Sequence, residues 1–484
     1  MRLSETTMDR LPGDVAVPRY DRSPAPGIVH FGIGAFHRAH QAFYTDACNR
    51  AGGPIWMIAG VSMRSPAVAE QLNPQDGLYT LTVRLGEGSE TRVIGSVAEA
   101  LVATPDREAI VDRIADPACH LVSFTVTEKG YCRAPDGSLD IALASDGFYP
   151  LLCEALVRRR DAELAGLSLL SCDNLSGNGR QLGRLMREWI EAKVPDLRDW
   201  FDTYCTTPDS MVDRIVPAPS PADIDGLEAR IGCRDEVAVF TEDFTQWVIE
   251  DRFAGPRPAW EEHGAQIVDD VAPYETAKLR MLNGAHSLLA YAGLDRGHTF
   301  VHEAIADPHL RALVEKLMLE EAEPTIEPSE GLYLRTYAAD LVARFENPAL
   351  NHRLEQIAMD GSQKIGQRWL EVLATRQGDS TMCEAILTGI AHWLHHVSGK
   401  VRPVDDPRAG ELEAVCAPGP SDETVLAVFG TEGPMRSPWQ PTAAELNFIA
   451  AQWRGLDKPS AEPSTRDAGA KARMTRTGAI KNRP

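Results

Sequence analysis

The period of the hydrophobic pattern changes once along the chain, near Tyr274. Before it, short apolar runs alternate with amphipathic segments, as in "GIVHFGIGAFHRAHQAFYTDA", "IWMIAGVSM", "HLVSFTVTEKGY" and "LSLLSCDNLSGNG". This alternation indicates an α/β domain with a mostly parallel sheet. After it, apolar residues recur at helical spacing and strand signals nearly vanish. We predict an α/β domain over 25–273, followed by a mostly α-helical C-terminal domain over 274–455.

The two ends of the chain differ from the domains between them. Residues 1–24 are charged and broken by proline, and we interpret them as an N-terminal extension without the apolar core of a signal peptide. Residues 456–484 are small, polar and basic, and we expect them to be disordered. Just before the pattern changes, "EVAVFTEDFTQWVIEDRF" predicts one more short strand.

A glycine-bearing turn follows the first predicted strand, in "HFGIGAFHRAH". Gly32 and Gly34 stand between strand and helix, where dinucleotide folds bring backbone amides to a pyrophosphate. His37 occupies the place of the third glycine of the usual fingerprint, so a plain strand-to-helix turn is the alternative. The α/β context favours a Rossmann-type nucleotide-binding domain, with His37 and Arg38 facing the phosphates. The expected cofactor-binding residues are Gly32, Gly34, Phe36, His37 and Arg38.

The second predicted strand bears on the choice of cofactor. It ends in "GVSMRS", without the aspartate or glutamate that usually binds the adenosine ribose. Arg64 is near enough to tolerate a 2′-phosphate, so NAD is expected and NADP is not excluded. His37 and His40 could suggest a metal, but no carboxylate or cysteine is spaced to complete a site. We therefore expect no metal.

Composition limits the kinds of partner. The 484 residues are too many for one core, and the net charge is −21 with no long basic run before the tail. This charge argues against nucleic acid or an anionic membrane as the main partner, and no apolar run approaches a membrane span. Nine dispersed cysteines without a C-x-x-C pair indicate reduced thiols and a cytoplasmic location. A small-molecule substrate is expected, and the sequence leaves the oligomeric state open.

The segment "KLRMLNGAHS" carries polar groups within an apolar helical pattern. At about 100° per residue, Asn283 lies about 140° and His286 about 80° from Lys278, so the three share one broad face. They form either a satisfied core network or a catalytic site. A buried lysine with a lowered pKa could take the proton of a secondary alcohol, while amides stabilise the alkoxide. Asn283 is one candidate amide, and Asn174, at a strand end in "SCDNLSGNG", is the second.

Two neighbours of Lys278 allow other interpretations. Tyr274 forms a Tyr-x-x-x-Lys pair with it, as in short-chain dehydrogenases. Those chains are much shorter and carry the pair in the nucleotide domain, so we interpret Tyr274 as a packing residue. Glu275 could relay the proton of Lys278 to water, although an acid in the first turn of a helix is the simpler interpretation.

Six blocks of the sequence, in order, resemble the polyol-specific long-chain dehydrogenase family, also called the mannitol dehydrogenase family. They are "IVHFGIGAFHRAHQAFYTD", "TVTEKGY", "SCDNLSGNG", "MVDRIVP", "QWVIEDRF" and "KLRMLNGAHS". The resemblance implies an NAD(P)-dependent oxidoreductase without zinc, in which Lys278 is the acid/base. It implies that Asn283 and Asn174 bind the oxyanion and that His286 belongs to the same motif. It also implies that Asp213 lies near the substrate.

Other blocks look like the fructuronate reductase branch of that family, namely "VSMRSPAVAEQLNPQDGLYTL", "HRLEQIAMDGSQKIGQRWL" and "VDDPRAGEL". That branch interconverts D-fructuronate and D-mannonate, and mannitol 2-dehydrogenase, acting on D-fructose and D-mannitol, is the alternative. A catalytically inactive NAD-binding sensor is a third possibility, which the intact set around Lys278 disfavours. A sugar acid would need cations, preferably arginine, to bind its carboxylate. The candidates are Arg280, Lys364 and Arg368, which could also be plain surface charges.

Overall fold

A computed structural model describes residues 1–85, 88–379 and 381–456 of the chain, and within them every strand lies before residue 269. The strands are β1 (Pro26–Phe31), β2 (Met57–Ser62), β3 (Tyr79–Arg84), β4 (Ser89–Ile94), β5 (Val97–Val102), β6 (Leu121–Phe124), β7 (Ser168–Ser171), β8 (Ser210–Asp213), β9 (Val239–Glu242), β10 (Gln246–Glu250) and β11 (Gln266–Val268).

Five strands form a parallel sheet in the order β5-β2-β1-β6-β7. Phe31, at the end of β1, is in register with Val61 of β2 and Phe124 of β6, so these strands end at one edge of the sheet. Every residue of β1 is buried, as expected for a strand covered on both faces. Val29 belongs to the apolar core on one face and Ile28 to the core on the other.

The helices of this part cover the sheet and give it the predicted Rossmann-type arrangement. They are α1 (Ala35–Ala39), α2 (Gln41–Arg50), α3 (Ala67–Leu72), α4 (Arg107–Ala115), α5 (Thr127–Gly130), α6 (Ile141–Ala144), α7 (Tyr149–Asp161), α8 (Asn178–Lys193), α9 (Arg198–Tyr204) and α10 (Pro221–Ile231).

The other six strands form two smaller sheets, ordered β4-β3-β9 and β11-β10-β8. The stretch 236–253, interpreted above as one strand, holds both β9 and β10, which join different sheets. That prediction was wrong because a bend at 243–245 interrupts an otherwise strand-like run. The antiparallel pairing of β10 with β8 matters for the site, since β8 carries Val212 and Asp213.

The described part of the chain from 270 to 456 is mainly helical and surrounds one apolar core, in which α12 and α19 are almost wholly buried. Its helices are α11 (Ala272–Ala277), α12 (Gly284–Asp295), α13 (Val301–Ala306), α14 (Pro308–Lys316), α15 (Leu334–Phe345), α16 (Leu354–Ala358), α17 (Gly361–Ile365), α18 (Glu371–Thr375), α19 (Glu384–Val397), α20 (Ala409–Cys416), α21 (Asp422–Phe429) and α22 (Ala443–Leu456). The predicted fold class is confirmed. Three segments are π-helical: Lys278–Asn283, Leu317–Ala322 and Gly366–Leu370.

The remaining predictions concern membrane spans, metal binding, the cysteines and the basic tail. In the described ranges, no helix is long and apolar enough to cross a membrane. No group of three or more His, Cys, Asp and Glu side chains in those ranges could hold a metal ion. All nine cysteines are free thiols. The basic tail predicted to be disordered lies, beyond Leu456, outside the described residues.

Candidate active site

Lys278 lies where the helical part of the chain meets the Rossmann-type part. It begins the π-helical segment between α11 and α12. Its Nζ donates one hydrogen bond to Asn174 Oδ1 at 2.7 Å and another to the Val212 carbonyl at 2.6 Å. Asn174 follows β7, and Val212 is in β8. Three segments that are distant in sequence therefore meet at one amine.

The partners of the Lys278 amine are both neutral, and this bears on its proton. A neutral amine has two N–H donors and one lone pair, whereas an ammonium has three donors. The neutral form can therefore make both hydrogen bonds and keep its lone pair for a proton. Burial lowers the pKa of Lys278, while the charge of Asp213 opposes this shift and that of Arg344 reinforces it. Such a lysine exchanges its proton nearer neutrality than a surface lysine does.

Asn283 ends the same π-helical segment, five residues after Lys278. Hydrogen bonds from i to i+5 give a wide turn of roughly 4.4 residues, so residues five apart are separated by only about 50° around the helix axis. The α-helix assumed from the sequence put them about 140° apart, and the π-helix narrows this angle. Asn283 is partly buried, and its side-chain amide makes no hydrogen bond with the described residues. It can therefore donate to a ligand oxygen.

His286 lies next along this helix, in α12. Its ring is buried, with its centroid 4.7 Å from that of Phe345 and 5.2 Å from that of His352. Burial lowers the pKa of His286 well below its usual range, and the neighbouring charges of His352 and Arg344 add to the effect. The imidazole is therefore neutral near pH 7, with one donor and one acceptor nitrogen. Both histidines line a small cavity of about 10 Å³ with Arg344.

A buried ion cluster lies behind the site, and two of its members were missed in the sequence. Arg344 of α15 donates to Asp213 Oδ2 at 2.6 Å and to Glu242 Oε1 at 2.6 Å. The side chains of Arg344, Asp213 and Glu242 are 4%, 9% and 0% exposed. Burial would raise the pKa of Asp213, but the charges of Arg344 and Lys278 hold it below its usual value. The ionised cluster therefore links β8 and β9 to the helical part through fixed charges.

A large cleft lies at the carboxyl ends of β1, β2 and β6. Its volume is about 1210 Å³, and its walls include Gly32, Gly34 and the segments 62–65 and 125–130. Gly32 has a φ of +100°, and a Cβ there would lie 2.1 Å from the Thr125 carbonyl oxygen, so only glycine fits. A Cβ on Gly34 would meet only the Gly32 carbonyl oxygen, 3.9 Å away, so this backbone is open to a ligand. The position, the size and the glycine turn fit a dinucleotide.

Two family profiles match most of the chain. Residues 26–262 match the "Mannitol dehydrogenase Rossmann domain", and residues 270–427 match the "Mannitol dehydrogenase C-terminal domain". The chain belongs to the mannitol dehydrogenase family. It is accordingly an oxidoreductase, with a Rossmann-type part that binds the nicotinamide cofactor and a helical part that supplies Lys278.

Individual members of the mannitol dehydrogenase family resemble the chain over nearly its whole length. The "uncharacterized oxidoreductase YeiQ" of Escherichia coli is 40% identical, covering 88% of this chain and 92% of that protein. The D-mannonate oxidoreductase of Escherichia coli is 38% identical, covering 91% of this chain and 96% of that protein. A solved structure of Pseudomonas fluorescens mannitol 2-dehydrogenase with NAD and D-mannitol is 33% identical, with a TM-score of 0.77 and coverage of 94% of this chain and 97% of that one.

Three side chains after the glycine turn were predicted to bind the cofactor, but they do not line the cleft. His37 is fully buried and stacks on His30, with ring centroids 3.5 Å apart. Arg38 is also buried and donates to the Val237 carbonyl. The side chains of Phe36, His37 and Arg38 are not among those that line the cleft. The prediction that His37 and Arg38 face the phosphates was wrong, because nearness in sequence does not tell which side of a short helix points inward, and the side chain of Phe36, predicted to bind the cofactor, does not line the cleft either.

Tyr274 and Glu275 both have structural partners. Tyr274 is buried and donates its hydroxyl to the Glu330 carbonyl at 2.8 Å, which agrees with the packing interpretation. Glu275 lies in the first turn of α11 and accepts hydrogen bonds from Ser176 Oγ and the Gly177 amide, both at 3.1 Å. It therefore ties α11 to the loop that follows β7, the loop that holds the amide partner of the lysine.

Two of the three cations suggested for the far end of the substrate are already engaged. Arg280 donates to the Thr325 carbonyl at 2.7 Å and lies 3.7 Å from Glu371. Lys364 is partly buried and donates to the Met359 carbonyl. The predicted contact of Arg280 with the substrate is not supported, because both partners hold its side chain elsewhere. Arg280 also follows Lys278 by two residues, and side chains two apart on a helix do not face each other.

Arg368, the third of these cations, differs from Arg280 in having no carboxylate nearby among the described residues. It lies in the π-helical segment Gly366–Leu370, which packs against Lys278–Asn283. Its guanidinium donates to Ser287 Oγ at 2.7 Å, and no carboxylate of the described residues pairs with it. Burial lowers the pKa of Arg368 to about 10, and its charge acts on His286. The site is therefore bordered by a partly buried cation without a counter-ion.

Proposed function

We propose that the chain interconverts a keto-sugar acid and its secondary alcohol, with a nicotinamide cofactor as hydride carrier and Lys278 as the general acid/base. The observation that carries the proposal is the geometry of Lys278. Its amine is desolvated and held by two neutral acceptors, and the same π-helical segment carries the side-chain amide of Asn283, which has no hydrogen-bond partner among the described residues. This arrangement suits a base that removes a hydroxyl proton while charge develops on oxygen.

The side chains divide the work as follows. In the oxidation direction the Lys278 amine takes the hydroxyl proton while the adjacent carbon loses hydride, and in the reduction direction the ammonium returns a proton to the carbonyl oxygen. Asn283 and Asn174 donate to that oxygen. Because Asn174 Oδ1 accepts from Lys278, its amide NH₂ group is the part left for the substrate. The neutral His286 offers one further hydrogen bond to the sugar.

The cleft beside the glycine turn is the proposed cofactor site. Bound there, a nicotinamide cofactor would supply the hydride acceptor for oxidation and the hydride donor for reduction. Gly32 and Gly34 would allow the pyrophosphate to approach the backbone, and the residues after β2 would hold the adenosine ribose. The presence of NAD in the solved mannitol 2-dehydrogenase complex supports NAD as the cofactor.

For the substrate we propose D-fructuronate and D-mannonate. Arg368 supports this choice, because a partly buried guanidinium that no carboxylate of the described residues holds can bind the carboxylate of a sugar acid bidentately. The similarity to D-mannonate oxidoreductase, at 38% identity, supports it as well. The pair D-fructose and D-mannitol is the second candidate, supported by the solved mannitol 2-dehydrogenase.

The test is a comparison of kcat/KM for the reduction of D-fructuronate and of D-fructose. The loss of NADH absorbance measures both rates. The proposal expects a clear preference for D-fructuronate. A preference for D-fructose would make mannitol oxidation the function. Binding of NADH without turnover of any ketose or keto-acid would instead indicate a sensor without catalytic activity.

A further inference from the structure

The end of β2 lies directly beside the glycine turn. The amides of Gly32 and Ile33 both donate to the Val61 carbonyl, at 2.8 and 3.3 Å. These bonds hold the turn against the last residues of β2, so a dinucleotide on the turn has its adenosine end over the loop that follows. In Rossmann-type folds this loop contacts the adenosine ribose.

That loop presents a cation and two hydroxyls to the cleft. Ser62, Arg64 and Ser65 are all among the cleft-lining residues. Ser62 Oγ donates to the Ser65 carbonyl at 2.6 Å, and Ser65 Oγ accepts from the Ala67 amide at 3.2 Å, so the loop is tightly folded. The Arg64 side chain is exposed and makes no hydrogen bond or ion pair with the described residues.

The acidic side chains near the cleft lie elsewhere. Glu128 and Asp146 line it, but both follow β6, which is separated from β2 by β1. Asp106, which follows β5, accepts from the Val102 amide at 2.7 Å and does not line the cleft. Among the described cleft-lining residues, therefore, no carboxylate on the β2 side could bind a ribose 2′-hydroxyl or repel a 2′-phosphate.

We propose that Arg64 and the loop around it form a subsite for a 2′-phosphate, so that the chain binds NADPH with an affinity within about ten-fold of that for NADH. The proposal rests on the proposed function, since it places a nicotinamide dinucleotide in the cleft. A guanidinium binds phosphate through two parallel N–H···O bonds, and the Ser65 hydroxyl, whose oxygen accepts from the Ala67 amide, adds a neutral donor. The charge of Arg64 reaches into the cleft, where it acts against the rise in the pKa of Cys132 caused by burial.

The direct experiment is a fluorescence titration of NADPH and NADH with the wild-type chain and with Arg64→Ala, without sugar substrate. Loss of charged hydrogen bonds to the phosphate should raise the Kd for NADPH by about 10- to 150-fold. The Kd for NADH should change by less than about three-fold, since its ribose carries only a neutral hydroxyl.

Two further variants test whether the effect belongs to this loop. Arg133 is a matched control, because it also lines the cleft but donates to Gln181 Oε1 at 2.8 Å on the β6 side. Arg133→Ala should leave the ratio of the two Kd values unchanged. Ser65→Asp should weaken NADPH and spare NADH, because a carboxylate repels the phosphate and accepts from the ribose hydroxyl.

The outcomes separate the subsite from the proposed function. Wild-type binding of NADPH more than about ten-fold weaker than NADH overturns the subsite, and so does an equal effect of Arg64→Ala on both. If NADH binds and NADPH does not, the subsite fails and the proposed oxidoreductase stands. If neither dinucleotide binds, the proposed function fails with it.

Discussion

Lys278, which is partly buried, and Arg344, which is buried, are two cations close enough to act on each other, but they have opposite kinds of partner. Lys278 donates to an amide oxygen, that of Asn174, and to the Val212 carbonyl. Arg344 is held by two carboxylates. A carboxylate keeps a buried cation charged, whereas neutral acceptors leave the cost of burying the charge largely uncompensated. Under the proposed function, this difference is why Lys278 is the group expected to exchange a proton and Arg344 the group expected to stay charged.

Asp213 connects the two regions. Its carboxylate is bonded to Arg344, and its charge opposes the lowering of the pKa of Lys278 by burial. The ion cluster therefore limits how far that pKa falls. An amine with too low a pKa would be a weak base, so under the proposed function we expect these fixed charges to keep the pKa of Lys278 suitable for both directions of the reaction.

The largest expected effect comes from removing the amine of Lys278. Lys278→Ala should lower kcat by about 100- to 10,000-fold, the usual size of general acid/base effects. The Kd for NADH and the thermal midpoint should change little, because Lys278 contacts neither the cleft glycines nor the apolar core. Steady-state kinetics, NADH titration and thermal unfolding measure the three quantities. A near-normal kcat would remove Lys278 from the chemistry.

Tyr274→Phe is the matched control on the same helix. The Tyr274 hydroxyl is bonded to the Glu330 carbonyl, so its loss should leave most of the activity. A collapse of kcat in this variant would instead point to a tyrosine acid/base, as in short-chain dehydrogenases.

The sequence predicted the contact between Lys278 and Asn174, but not the π-helical turn between Lys278 and Asn283. The meeting of Lys278 with Asn174 follows from two rules, that ligands gather at the carboxyl ends of parallel strands and that buried polar residues in a helix have a purpose. The π-helical turn did not follow, because the hydrophobic spacing of "KLRMLNGAHS" is compatible with an α-helix. The angle between Lys278 and Asn283 was therefore misjudged.

The ion cluster depended on contacts between segments far apart in sequence. Pairing of Arg344 with Asp213 and Glu242 joins three such segments, which periodicity cannot do. A weaker signal was present, since Arg344 falls on the buried face of α15 with Tyr337 and Leu341. A cation at a core-facing position of an amphipathic helix indicates a buried partner, although not which one.

The second prediction concerns Arg344, the cation that two carboxylates hold. Arg344→Met leaves two buried carboxylates without their cation and should lower the free energy of unfolding by about 3–5 kcal/mol. Arg335→Met, on the same helix, should cost only about 0–1 kcal/mol, because Arg335 is 78% exposed and its ion pair with Glu323 is at the surface. Denaturant unfolding of both variants measures the difference. Equal losses would show that the cluster is not a source of stability.

The third and smallest effect concerns Arg368, with which no carboxylate of the described residues pairs. Arg368→Ala should raise KM for D-fructuronate by about 10- to 150-fold, through the loss of a charged hydrogen bond, and should barely affect D-fructose. Arg280→Ala is the control, since Arg280 is engaged with Thr325 and Glu371 and should not change the ratio of the two substrates. Kinetics with both ketoses decide. Equal effects of Arg368→Ala on both would remove the carboxylate contact.

The pH dependence of kcat/KM in both directions tests the role of Lys278 most directly. Oxidation needs the free amine and reduction needs the ammonium, so oxidation should rise and reduction should fall with pH. Where proton transfer limits the rate, both should do so through one shared apparent pKa below that of a surface lysine. His286, whose pKa is far below neutrality, should add no second step in that range. Two profiles that rise or fall together would contradict a single lysine that exchanges the proton.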